Sequence, residues 1–202
     1  MTGACYIVFE GPEGCGKSTQ ARLLAESIDA VLTRETGGTQ IGARLREILH
    51  DVDVNDLDDH AETLIVAADR AQHLAQVVRP ALAAGRHVVS DRSVYSTLAY
   101  QGYGRGLPVD EVRQVNEWAI RDTWPDLVIL LETNESELAE RMSERELDRF
   151  ERAGVEFHQR VRAGFAEMAA ADPQRWIVVD ASREKETTAT TIRNAVRDRL
   201  GI

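Results

Sequence analysis

Cysteine is nearly absent from this chain: Cys5 and Cys15 are the only two in 202 residues. One falls in an apolar run and the other in a glycine-rich turn, with neither a disulfide framework nor zinc spacing. A reducing cytoplasm is the expected location. Long apolar runs are also missing; none could span a bilayer, so no membrane partner is expected. The N-terminus has no basic region followed by an apolar stretch and a small-residue cleavage site, so no signal peptide is expected. Positive charge is scarce. The net charge of −10 argues against nonspecific nucleic-acid binding, which needs a basic footprint. It leaves room for a nucleotide in a locally basic site. Lys17 and Lys185 are the only lysines among 24 basic residues. Repeats, low-complexity segments and interdomain linkers are absent too. What remains, 43% hydrophobic and 29% charged residues, reads as one soluble globular domain over residues 1–202.

The chain is organised around Gly11-Pro12-Glu13-Gly14-Cys15-Gly16-Lys17-Ser18, which fits the phosphate-binding pattern Gly-x-x-x-x-Gly-Lys-[Ser/Thr]. The apolar run Cys5 to Phe9 before it reads as a buried strand. After it, Ala21, Leu23, Leu24, Ala25 and Ile28 have helical spacing. Strand, glycine loop and helix form the context that the motif requires. Glycines let successive N–H groups point inward, and the helix start adds partial positive charge. Lys17 can reach the β- and γ-phosphates, and the Ser18 hydroxyl can ligate Mg²⁺. A random chain of this length matches the pattern about once in a hundred. The plainer reading, a turn with an exposed lysine, is weaker still in this context.

Further strands are expected at 30–33, 87–91, 127–131 and 176–180. Helices are expected around 45–49, 64–84, 95–100, 112–120, 136–146, within 150–171, and at 187–200. Pro80 bends or splits the long one. The acidic run Asp51 to Asp59 reads as a loop and helix cap, and Gly102 to Pro108 as a flexible turn. Apolar strands alternating with helices indicate a doubly wound five-stranded parallel sheet of the P-loop NTPase-like α/β class. Ligands in such folds bind beyond the carboxyl ends of the strands. The phosphate loop, Arg34-Glu35 and Asp91-Arg92 all follow strand ends and gather on one rim.

A small-molecule kinase must place two anions together and exclude water. Arg34, Arg70, Arg92, Arg141, Arg145 and Arg149 are available for that task. An Asp91-Arg92 pair can hold an acceptor phosphate while Asp91 orients Mg²⁺ waters. On a bare surface such a pair merely solvates a strand end.

Phe9 to Thr19 resembles the start of thymidylate (dTMP) kinases. Thr33-Arg34-Glu35-Thr36-Gly37-Gly38-Thr39 resembles their TREPGGT segment, and Asp91-Arg92 with Ser96 to Gly102 resembles DR…STxAYQG. Glu146 to Arg149 resembles their lid, here about 141–153, and Asp180-Ala181-Ser182 a loop near adenine. The resemblance implies that Gly11, Pro12, Glu13, Gly14, Cys15, Gly16, Lys17, Ser18 and Thr19 hold ATP, with Ala181 near adenine. It implies Mg²⁺ on Ser18 and Asp91. It places Glu13, Arg34, Val66, Arg70, Arg92, Thr97, Tyr100 and Gln101 around the acceptor, with Gln101 near the base and Tyr100 near the sugar. The loop has no arginine, so members of this type bring one from the lid; Arg145 and Arg149 are the candidates beside Lys17, Arg92, Asp91 and Glu13. A homodimer packed through helices is also implied.

Two positions depart from the family. Thr36 stands where proline is usual, so the loop loses a fixed φ. Val66 stands where a phenylalanine usually stacks on thymine, giving apolar contact without a stacking face. The expected activity is ATP- and Mg²⁺-dependent phosphorylation of dTMP to dTDP. The alternatives are a kinase for dUMP, a 5-modified dUMP or another nucleoside monophosphate, and a nucleotide-binding regulator without transfer. An acceptor panel separates the first, and ATP binding without ADP production the second.

Overall fold

The computed structural model describes residues 3–134, 138 and 148–202. Five strands form one parallel sheet in the order β2-β3-β1-β4-β5. They are β1 (Tyr6–Glu10), β2 (Val31–Arg34), β3 (Val88–Asp91), β4 (Leu127–Glu132) and β5 (Trp176–Asp180). Each lies within a residue or so of its expected range. The central strand shows why: Tyr6 and Val8 pack into a core on one face, Ile7 and Phe9 into a second core on the other. Burial on both faces demands an unbroken apolar run, which is the pattern that sequence shows best.

The helices are α1 (Lys17–Ser27), α2 (Gln40–His50), α3 (Asp59–His73), α4 (Arg79–Ala83), α5 (Val94–Thr97), α6 (Val109–Ile120), α7 (Val155–Ala171) and α8 (Lys185–Leu200). Helix α2 is longer than expected, because Thr39 caps it by accepting from the Gly42 N–H. Helix α3 starts at Asp59 rather than at residue 64. Asp58 accepts from the N–H groups of His60 and Ala61, so the acidic run does end as a helix cap.

The long helix is split, though by a widened turn rather than a bend at proline alone. A π-helical segment, Leu74–Val78, joins α3 to α4, and the Arg79 N–H reaches back five residues to the Leu74 carbonyl. Pro80, which lacks an N–H, then falls at the start of α4, where no donor is needed. The expected flexible turn at Gly102 is corrected as well. Leu98–Gly104 is π-helical and packs on α7, and the loop begins only afterwards. A Cβ on Gly104 would lie 2.6 Å from the Phe157 ring, so glycine there serves close packing. The helix expected over 136–146 lies almost wholly outside the described residues.

Candidate active site

The carboxyl ends of β1, β2 and β3 open into one cleft of about 760 Å³, within the usual range for a small-ligand site. The loop after β1 supplies its floor. Gly16 precedes α1 at φ 94°, a conformation that side chains rarely adopt. At Gly11 a Cβ would come within 2.5 Å of the Leu131 carbonyl oxygen. Lys17 is buried and folds back on the loop, its Nζ donating to the carbonyls of Pro12 (2.7 Å) and Gly11 (3.1 Å). The Ser18 hydroxyl donates to Asp91 Oδ2, joining the helix start to the end of β3.

Arg92 holds the middle of the site at φ 74°, an uncommon backbone for a non-glycine residue and one that recurs at functional sites. Its backbone N–H donates to Phe9 O at 2.9 Å. Its guanidinium donates to Glu13 Oε1, Ser96 Oγ (2.9 Å), Tyr100 Oη (3.0 Å) and Gly11 O (3.3 Å). It also lies over the Tyr100 ring, 5.0 Å from the centroid. Burial opposes the Arg92 charge, but Glu13, Tyr100, Glu10 and Asp91 outweigh it and hold its pKa well above the usual value. Glu13 is the counterpart. Burial pushes its carboxyl up, yet Arg92 and Lys17 pull it down to about 2. Burial raises the Tyr100 phenol, with Glu13 adding and Arg92 opposing.

Beneath this layer lies buried support, of which the sequence points to Arg70 but to neither Glu10 nor His73. Glu10 accepts from Ser93 Oγ, Ser96 N and Ser96 Oγ, which fixes the turn after Arg92. Burial raises its pKa, against the pull of Arg92 and the serines. Arg70 is only 2% exposed. It donates to Glu35 Oε2 (2.8 Å), Thr97 Oγ1 (2.8 Å), Asn116 Oδ1 and Ser93 O (2.9 Å). Four of its five hydrogens are thereby used, and the residue lines the cleft. His73 bridges Glu35 Oε1 (2.7 Å) and Thr33 Oγ1 (2.6 Å). Burial would raise the Glu35 pKa, but Arg70 and His73 hold it below its usual value.

Asp69 accepts from the Gly37 N–H at 3.0 Å, pinning the loop after β2. The Glu35–Thr36 peptide in that loop is cis. Thr36, where proline was expected, accepts through O and Oγ1 from Arg46 at 3.2 and 3.3 Å.

The cleft brings together Glu13, Gly14, Gly16, Lys17, Ser18, Thr19, Arg34, Val66, Arg70, Asp91, Arg92, Thr97, Tyr100 and Gln101. Gly11, Pro12 and Cys15 form the back of the phosphate loop. Ala181 is buried in the second core, its N–H on Glu132 O at 2.7 Å, outside the cleft. Arg149 is not brought to the phosphate loop. Its guanidinium is held by Glu62 Oε2 (2.6 Å) and Leu49 O (2.9 Å). Arg141 and Arg145 lie outside the described residues.

Among the cleft residues that sequence did not reveal, Arg46, Phe150 and Asp148 bear most on its chemistry. Arg46 adds a cation; burial, then the like charge of Arg34, pushes its pKa down. Phe150 adds an aromatic ring close to Tyr100. Asp148 receives His50 Nδ1 at 2.7 Å and the N–H groups of Phe150 and Glu151, which fixes the turn that carries Phe150.

Chemically, the cleft offers an anion-binding loop together with the guanidinium groups of Arg34, Arg46 and Arg92. The thymidylate kinase family model matches residues 9–192. The thymidylate kinase of Pelotomaculum thermopropionicum is 45% identical over 96% of this chain and 94% of its own. That of Desulforudis audaxviator is 44% identical over 98% and 91%. A crystal structure of thymidylate kinase from Ehrlichia chaffeensis superposes with a TM-score of 0.80 at 31% identity, covering 96% of this chain and 99% of that one.

Proposed function

The chain belongs to the thymidylate kinase family, and from that premise we propose how its cleft carries a phosphoryl group from ATP to dTMP. The activity itself is that of the family: the enzyme is a phosphotransferase that phosphorylates dTMP. The observation that supports our assignment is that Lys17 and the phosphate loop line one cleft together with Arg34, Arg46 and Arg92, Arg92 reaching the loop through Gly11 O and Glu13.

ATP takes the phosphate loop, Gly11 to Thr19, where inward N–H groups and the start of α1 favour anions. Lys17 exchanges its two carbonyl partners for phosphate oxygens. The acceptor phosphate takes the guanidinium side. Arg34 suits this role because it is exposed and its side chain has no hydrogen bond or ion pair among the described residues. Arg92 is already oriented by Glu13 and Tyr100, so little reorganisation remains for it at the moment of transfer. Phosphoryl transfer needs mainly such positioning and charge.

Ser18 and Asp91 fit a hard divalent cation: an exposed hydroxyl and a carboxylate stand in contact at the loop, both oxygen donors of the kind that Mg²⁺ prefers. Mg²⁺ bound there neutralises charge on the β- and γ-phosphates. Arg70, Thr97 and Gln101 face the base. Val66 gives apolar contact, and the Phe150 ring supplies an aromatic side chain in the same cleft.

We read the chain as one domain whose lid, over about 141–153, supplies Arg145 toward the transferring group. Arg149 serves instead to seat the segment after it. Cytoplasmic location fits the two free thiols, and no described helix is long and apolar enough to cross a membrane. A homodimer fits the exposed apolar side chains of α2, α3 and α6: Ile41, Ile48, Leu64 and Trp118, the last 84% exposed.

Lys17→Ala tests the assignment of sides. Turnover is expected to vanish while the fold, read by circular dichroism, stays intact. Near-normal single-turnover transfer by that variant would overturn it.

A further inference from the structure

Glu62 is fully buried at the first turn of α3. Its carboxylate has about four acceptor positions, and four donors fill them. Oε1 accepts from Gln101 Nε2 at 2.7 Å and from Arg105 Nε at 3.2 Å. Oε2 accepts from Arg105 at 2.9 Å and from Arg149 at 2.6 Å. Burial alone would raise this carboxyl, but Arg105, Gln101 and Arg149 hold it below its usual pKa, so it is ionised at neutral pH.

An ionised carboxylate accepts and cannot donate. Gln101 must therefore turn its NH₂ toward Glu62, because the opposite amide flip would set two oxygens against each other. The other end of the planar amide, Oε1, receives no hydrogen bond from any described residue. Gln101 lines the cleft beside Val66, Arg70 and Thr97. Turned toward the cleft, the Gln101 oxygen would be an acceptor beside the Arg70 guanidinium, a donor. Thymine and uracil offer the matching pair, an N3–H donor beside the O4 acceptor. Cytosine offers the reverse, a bare N3 beside a donating amino group.

We propose that Glu62 is a positioning residue for base selection: by fixing the amide of Gln101 with its oxygen toward the acceptor base, it makes the site choose imide pyrimidines over cytosine. This rests on the reading of Gln101 as a base contact given above. Arg149 shares the same carboxylate, so the turn that carries Phe150 is tied to the same anchor.

The test compares kcat/KM for dTMP and dCMP. Sites that hydrogen-bond a substrate edge reject mismatched analogues strongly, so wild type should prefer dTMP by about 10³-fold or more. In Glu62→Gln a neutral amide can donate or accept, so Gln101 is no longer held in one flip. Discrimination should fall by about 10- to 100-fold, with most of the dTMP loss in KM rather than kcat. In a Gln101→Ala background, Glu62→Gln should change discrimination no further.

If Glu62→Gln does not fold, Glu62→Asp keeps the charge but withdraws it by one methylene, and should lose discrimination in the same direction. Wild-type discrimination in whichever Glu62 variant folds overturns the proposal, as does an undiminished effect of Glu62→Gln in the Gln101→Ala background. An unmodified enzyme that phosphorylates dTMP and dCMP equally overturns the reading of Gln101 as a base contact, and this proposal with it.

Discussion

Glu13 sits within the phosphate loop, yet its carboxylate serves Arg92 and Tyr100 rather than the loop. That arrangement sets its titration. Burial works against the charge, while Arg92 and then Lys17 favour it, and the pKa falls from an ordinary 4.5 to about 2. A depressed carboxyl pKa stabilises the fold above the unfolded-state value, and that contribution drains away as pH falls through the folded-state value. Glu13→Gln should therefore be less stable than wild type at pH 6, by about 1–3 kcal/mol for the loss of charged hydrogen bonds. The gap should narrow from pH 4.5 downward and close near pH 2. Urea midpoints of both proteins across that window check it; a gap that does not change with pH would refute the coupling. Turnover should fall as well, because Arg92 loses its strongest orienting partner.

Helix α3 and the π-helical segment after α5 carry the acceptor side, and they show which parts of a site a sequence displays. Glu62, Val66, Asp69, Arg70 and His73 recur at helical spacing and share one buried face. Their polarity hid this from a reading tuned to apolar periodicity. A search for polar residues at the same spacing would have found Glu62 and His73 beside Arg70. Residues that follow strands were easier, since β1, β2 and β3 are legible and their ends mark one rim. Arg46 and Phe150 gave no local signal; their place depends on how α2 and the 148–151 turn pack.

Gly102 and Gly104 looked like loop residues because glycine marks turns more often than tight contacts. Gly104→Ala puts a methyl 2.6 Å from the Phe157 ring and 2.9 Å from Val161. Overpacking of this kind costs about 1–3 kcal/mol. The strain falls on the segment that bears Tyr100 and Gln101, so the KM for dTMP should rise while that for ATP changes little. A urea midpoint equal to wild type would show that α7 yields freely.

Over the whole molecule, two charge distributions oppose each other. The net charge of −10 repels itself, which weakens any compact acidic protein. The cleft nevertheless gathers Lys17, Arg34, Arg46 and Arg92 on its walls. The total charge, legible from composition, argued against nonspecific nucleic-acid binding. This local concentration of cations follows from the topology, which collects three strand ends and α2 on one rim. Salt acts on the two distributions with opposite sign. The screening length shrinks from about 30 Å at 0.01 M to about 3 Å at 1 M. Self-repulsion between distant surface carboxylates is screened first, so the unfolding midpoint should rise with KCl. Attraction of the dTMP dianion to the arginine wall is screened too, so its KM should rise by about 3- to 10-fold over the same range. Unfolding scans and initial-rate assays on one salt series measure both. A KM that stays flat while the midpoint rises would mean that the arginines act only at contact distance, after the nucleotide has displaced the water between them.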